Sequence, residues 1–481
     1  MRGTTVLLLA ASTLLAVPGF GQERPRAGAD YAVVPPPGTT VLSIAEPAAS
    51  RGVSRIGEPP RSAPSPETEC NGSWRNSGGT PGRNGRSGEL APTVSSPPLW
   101  SGGRTSLIAW QPIVDGDRVF MVRQTAFGSH PTGSPVVAMD LATGTELWAE
   151  HIPYETGDWT TWIAGAARGL VYASRSGNGS SVQARVYALD AGDGSVVWAS
   201  QAEVDAGGYD GVVLAPNGDL VVGNFTSVTR IRSSDGTTAW SSPRTCSVSS
   251  SCGPALHGDA VYVADVAPGG HVIVRFDLAT GTRMYESPVM PGFTLQNTPM
   301  VAPDGTVYLA RTQNNPSTDY LYAFDDTGAA LVERWHVPAA WTTYSELAVA
   351  PDGSPYMLAP GYELVRLDPA TGAVTATAGA FADLDATRMA SDGNGTLLVG
   401  NGGFDDGRVR VFDADLSPLW EVAVTNLNIG GPAVGRGGTV VVCGVGTDVR
   451  AFRDVVSPPV CPTFADDFET GDTSVWTLAL P

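Results

Sequence analysis

Apolar and polar positions alternate along this chain in short runs, each bounded by a tight turn. Val136–Trp148, reading VVAMDLATGTELW, is the clearest case. An apolar strand, Val136 to Met139, leads into Asp140. Leu141-Ala142-Thr143-Gly144 turns the chain, and a second strand carries Glu146, Leu147 and Trp148. This pattern predicts a β-hairpin with Gly where the backbone needs a positive φ. It ends on a large aromatic that has to be buried.

The hairpin is written six times, with a degraded seventh. After Asp140…Trp148 come Asp190…Gly194 with Trp198, Asp235-Gly236 with Trp240, and Asp277…Gly281 with Tyr285. Asp325…Gly328 with Trp335, Asp368…Gly372, and Asp413-Ala414-Asp415 with Trp420 complete the series. A second hairpin signal lies between them, as in Val114-Asp115-Gly116-Asp117, Ala215-Pro216-Asn217-Gly218, Ala302-Pro303-Asp304-Gly305 and Ala350-Pro351-Asp352-Gly353. The glycines at 144, 194, 236, 281, 328 and 372 are 50, 42, 45, 47 and 44 residues apart. Two hairpins per period make four strands per unit, which predicts an all-β, eight-bladed β-propeller. Complete units begin near 107, 158, 207, 252, 295, 343 and 386, and an eighth near Asn428 stops after Val449–Phe452. Leu99-Trp100 is an outer strand without its blade. Placing it on the edge of the last blade closes the ring and removes the open sheet edges.

The repeat accounts for the 481-residue length, otherwise long for one core. It also suits 58 Gly, 38 Pro and only 16% charged residues. With 29 Lys and Arg against 48 Asp and Glu, the net charge of −19 argues against nucleic-acid partners. Arg2, the apolar run Val6–Val17 and Pro18-Gly19-Phe20-Gly21 predict a signal peptide, residues 1–21, and a secreted, surface or periplasmic protein. The apolar run is too short for a permanent anchor, so no integral membrane span is expected. Residues 22–69 read as a Pro/Ser/Ala-rich lead-in, 70–455 as the propeller, and 456–481 as a short acidic tail. Within the propeller's start, Trp74 is followed by the glycine-dense Gly78–Gly85.

Among Cys70, Cys246, Cys252, Cys443 and Cys461, the pair Cys246–Cys252 is the expected disulfide. Its small loop would contribute about 2 kcal/mol. Cys461 has either Cys443 or Cys70 as a partner. No CxxC occurs and the five His are scattered, so no metal site is expected.

The AxDxxTGxxxW pattern, full in Ala138, Asp140, Thr143, Gly144 and Trp148, resembles the tryptophan-docking repeat of the quinoprotein (PQQ-like) propellers. That family holds eight-bladed dehydrogenases and non-enzymatic, BamB-like scaffolds. The resemblance implies that Trp100, Trp148, Trp198, Trp240, Tyr285, Trp335 and Trp420 pack between neighbouring blades. Each buried Trp ring removes about 150–250 Å² from water, an upper estimate of about 4–6 kcal/mol. Tyr285 and Ala376 stand in two Trp slots, so those junctions are expected to be weaker. The tail, with Asp466, Asp467, Glu469 and Asp472, resembles an acidic ending of exported bacterial proteins. It reads as a solvated tail, with Ca²⁺ binding as the alternative.

No catalytic set emerges. The once-per-blade Asp residues read as turn caps. The adjacent Cys pair of the dehydrogenases is missing, and no GxSxG, HExxH or nucleotide motif occurs. We therefore expect a non-catalytic, monomeric binding or scaffold module with a protein or glycan partner and no cofactor; PQQ with calcium belongs to the alternative, an oxidoreductase. Propeller geometry puts a ligand site where the innermost strands begin, at Trp110, Gln111, Trp159, Trp162, Tyr209, Asp210, Gln296, Asn297, Tyr344, Glu346, Arg388 and Asn428. These side chains suit a sugar, a peptide or an extended partner chain, or they plug the channel.

Overall fold

The computed structural model describes residues 73–106, 111–123, 135–153, 158–177, 184–204, 211–244, 253–291, 298–311, 319–340, 347–381, 383–384, 387–401, 407–425, 427 and 430–454. The expected signal peptide, the lead-in, the tail, Cys70, Cys246, Cys252 and Cys461 lie outside them.

Eight antiparallel sheets follow one another along the chain. Blade 1 runs from the axis outward as Ile113–Asp115, Arg118–Val122, Val136–Asp140 and Glu146–Glu150. Blades 2 to 7 repeat that order, with innermost strands Asp158–Ala167, Val212–Leu214, Ala255–His257, Met300–Val301, Ala348–Val349 and Thr387–Ser391. Blade 4 adds a fifth strand, Met290–Pro291, against Gly270 and His271. Blade 8 takes Ala433–Gly435, Thr439–Cys443 and Val449–Phe452 from the end of the chain and Trp100–Gly102 from its start. Trp100 pairs with Ala451, and the Leu99 amide donates to the Ala451 carbonyl at 2.7 Å. The ring is thus closed by the strand that the sequence places there.

The core lies between blades rather than within one. One apolar cluster joins Phe120 and Trp148 of blade 1 to Trp162 and Val186 of blade 2 and Ile231 of blade 3. A second joins Trp100, Val440 and Phe452 of blade 8 to Met139 of blade 1 and Val411 of blade 7. Burial on both faces of each sheet explains why the inner strands are almost wholly apolar.

The recurring hairpin shows how its sequence folds. The Asp140 amide donates to the Thr145 carbonyl and the Gly144 amide to the Asp140 carbonyl, both at 2.9 Å. The Asp140 carboxylate accepts from the Thr143 amide and hydroxyl at 2.8 Å, which holds its pKa below the ordinary value despite slight burial. Asp277 and Asp368 repeat these bonds with Thr280 and Thr371. The carboxylates are turn caps, consistent with their spacing. Gly144 has φ 68°, and a Cβ there would lie 2.5 Å from the Trp100 ring. Both left-handed backbone and missing side chain are needed at that point.

Each Trp reaches the next hairpin in the ring. Indole N–H groups donate from Trp100 to Leu141, Trp148 to Ala191, Trp198 to Ser233, Trp240 to Leu278 and Trp335 to Pro369, at 2.8 to 3.0 Å to the carbonyl. Trp420 has no hairpin ahead of it, because blade 8 is split, and donates instead to the Pro92 carbonyl at 2.9 Å. Tyr285 sends its hydroxyl to the Asp326 carboxylate, which also accepts from the Tyr262 hydroxyl at 2.6 Å.

Candidate functional site

The innermost strand of a propeller blade has no neighbour on its axial side. Its amides on that side point into the channel and need acceptors. Residues 73–92 supply them. The Val114 amide of blade 1 donates to the Trp74 carbonyl at 2.9 Å, and the Ala166 amide of blade 2 to Arg75 at 3.1 Å. Leu214 of blade 3 donates to Asn76 Oδ1 at 2.7 Å. Leu256 of blade 4 reaches Pro81 at 2.8 Å, Val301 of blade 5 reaches Gly82 at 2.7 Å, and Val349 of blade 6 reaches Asn84 at 2.8 Å. Ser391 of blade 7 donates to Gly85 at 2.6 Å, and Gly437 of blade 8 to Glu89 Oε2 at 3.1 Å. The segment therefore visits every blade once, in chain order, across the mouth where the innermost strands end.

Close approach explains its glycines and those opposite. A Cβ at Gly82 would lie 2.7 Å from the Val301 carbonyl oxygen, and one at Gly85 2.7 Å from that of Leu347. On the ring side, a Cβ at Gly165 would meet the Arg75 carbonyl at 2.4 Å, and one at Gly438 the Leu90 carbonyl at 1.8 Å. Arg83 adds bonds to the Pro254 and Val212 carbonyls at 2.7 and 2.6 Å. Glu89 and Asp392, both buried beside the segment, have pKa values raised first by desolvation, against amide donors that lower them. This strap was not foreseen. The only sequence signal for it is the density of Gly and Asn between residues 76 and 85, where no strand period is written.

Outside the strap lies a basin of about 250 Å³. The strap's Arg75, Thr80, Asn84 and Arg86 form one wall, and the first-hairpin turns of blades 3, 4 and 5 form the other, including Pro216, His257 and Pro303. Arg75 is held by Asp115 at 2.8 Å.

Of the residues proposed for the opposite mouth, Trp110, Tyr209, Asp210, Gln296, Asn297, Tyr344, Glu346 and Asn428 lie outside the described residues. Trp159 is described only as part of its strand. Gln111, Trp162 and Arg388 are all buried. Gln111 bonds the Pro432 carbonyl at 3.1 Å through Nε2, and Trp162 belongs to the apolar cluster between blades 1 and 2. Arg388 packs under Gly431, where a Cβ would lie 2.7 Å from its own. Gln111 and Arg388 thus meet neighbouring residues, Pro432 and Gly431, while Trp162 packs between blades 1 and 2.

Among the described residues, no three His, Cys, Asp or Glu side chains could hold a metal ion. Among the described residues Cys443 is a free, buried thiol, 3.8 Å from the Met121 sulfur, and its expected partner Cys461 lies outside them. Burial pushes that thiol up to about 11. No helix among the described residues is long and apolar enough to cross a membrane.

The family model described as outer membrane protein assembly factor BamB matches residues 132–377. No curated protein sequence matches the chain. Solved structures share the fold at low identity. The quinohemoprotein alcohol dehydrogenase of Comamonas testosteroni is 11% identical over 81% of this chain and 82% of its own, with a TM-score of 0.52. BamB of Moraxella catarrhalis is 15% identical over 73% of this chain and 100% of its own, at 0.50. The computationally designed Ika8 protein is 12% identical over 75% and 100%, at 0.52. The docking repeat, the closed eight-bladed ring and a family match over just over half of the sequence agree: the chain belongs to the PQQ-like β-propeller family of the assembly factor BamB.

Proposed function

We propose that this is an exported, non-catalytic propeller that serves as a binding or scaffold module for a protein partner or a surface glycan. Family membership alongside an assembly factor is the observation that carries the reading. The strap supports a direction for it. It occupies the mouth where the innermost strands end, which leaves the opposite mouth, to which strand order in the sequence assigns Tyr344 and Gln296, as the face to present. A net charge of −19 favours a neutral or basic partner.

A photo-crosslinker at position 296 or 344, in the native export host, tests this. A discrete adduct to one protein or glycan is expected, lost when Tyr344→Ala is added to the 296 probe. The rival oxidoreductase is assayed by adding PQQ and Ca²⁺ to purified protein and following dye-linked alcohol or sugar oxidation. Turnover abolished by chelation would sink the proposal.

A further inference from the structure

We propose that the mouth at the ends of the innermost strands is itself a binding site for a tightly turned, glycine-rich peptide, and that residues 73–92 are the peptide that fills it. This goes beyond the reading above and does not depend on it. The ring brings one inward amide from the innermost strand of each of blades 1 to 7, and the Gly437 amide from the first turn of blade 8, to this mouth, and the strap meets each with an acceptor. Six of these acceptors are main-chain carbonyls, in blades 1, 2, 4, 5, 6 and 7. Recognition is therefore mostly of backbone, one carbonyl to each inner strand edge, with turns carrying the segment between blades.

The chemistry of an acceptable occupant follows from the contacts. It must be glycine-rich and able to turn tightly, because a Cβ at Gly82 or Gly85 would strike a ring carbonyl and Gly78, Gly79 and Gly85 all have positive φ. It must carry a short amide at the Asn76 position to reach Leu214. An aromatic anchor at one end fits the Trp74 pocket, which is fully buried in the cluster shared by blades 1, 7 and 8. The covalent link from strap to ring is a run, residues 93–99, exposed at all but one position. The tether holds the strap near the mouth and contributes little to the contact itself. A partner chain of the same chemistry would compete for the same amides.

The test uses the full chain with Gly82→Val and Gly85→Val, which disable the strap and leave the ring's own residues intact. Hydrogen exchange is read at Val114, Ala166, Leu214, Leu256, Val301, Val349, Ser391 and Gly437. All eight amides should exchange at least about tenfold faster, while ladder amides of the second strands, such as Val221 and Leu309, keep their protection. A synthetic peptide of residues 73–92 with the natural sequence should restore the eight. Should the double variant lose its blades, Gly82→Ala carries the same measurements. Deprotection confined to Val301, Val349 and Ser391, loss of second-strand protection in both variants, or no restoration by the peptide would each overturn the proposal.

Discussion

Two junctions of the ring solve one packing problem in opposite ways. Between blades 1 and 2, Trp148 covers Gly194, where a Cβ would come within 2.7 Å of the ring, and the indole donates to the Ala191 carbonyl. Between blades 6 and 7 the Trp slot holds Ala376. The facing turn carries Leu416 instead of Gly, at φ 64° and 1% exposed. Leu416 sits with Tyr356 and Phe412 in the cluster against which Ala376 packs. The acceptor carbonyl, Ala414, is taken by Arg366 at 3.1 Å and Tyr356 at 3.3 Å. Volume lost on one blade is regained on the next, although Leu in left-handed backbone is strained. The expectation that a missing Trp simply leaves a weaker junction therefore overlooked the residue across from it.

The largest effect should come from Trp148→Ala, which removes a buried ring and its bond. It should cost about 3–5 kcal/mol, read from denaturant melts. Leu416→Gly should come next, at about 2–4 kcal/mol, because it opens a cavity even as it relieves the backbone. Adding Ala376→Trp to Leu416→Gly should recover part of that loss, while Ala376→Trp alone should destabilise by crowding Leu416. A double-mutant cycle without coupling would show that the two positions do not share one space.

The Tyr285 junction gives a smaller and pH-dependent effect. Tyr285→Phe should cost about 1–3 kcal/mol, since the Asp326 carboxylate loses one donor. Burial raises the Asp326 pKa, but the Tyr262 and Tyr285 hydroxyls outweigh it and the net shift is down. Its contribution is present above the ordinary carboxylate value of 3.8 and fades as pH falls through the depressed one. Tyr285 is pushed from 10.0 up to about 12, first by burial and then by its bond to Asp326. That contribution is whole below 10.0 and fades as pH rises toward 12. Melts of the parent and Tyr285→Phe should converge at both ends. The Trp148 contact has no titrating proton and should not.

Blade number and ring closure were legible because turn chemistry is local. Asp140, Thr143 and Gly144 announce their hairpin within five residues, and repetition does the rest. Trp100 announced its role through a blade left unfinished elsewhere. The strap was not legible, because Gly82 and Gly85 owe their identity to Val301 and Leu347, far along the chain. Leu416 was hidden for the same reason. A hairpin residue read alone does not reveal which ring is absent beside it. The site was read from where strands begin, and of its residues Gln111, Trp162 and Arg388 turn out to be buried between blades.

The pairing of Trp100 with Ala451 has a consequence for biogenesis. A ribosome makes the first partner early and the second almost last, so the chain emerges with its latch long before there is anything to fasten. Until then every completed wedge shows an apolar flank to its surroundings. A holdase would find its longest opportunity on this nascent arc, and a stop anywhere before Val449 should leave a product cleared by proteases rather than a smaller ring.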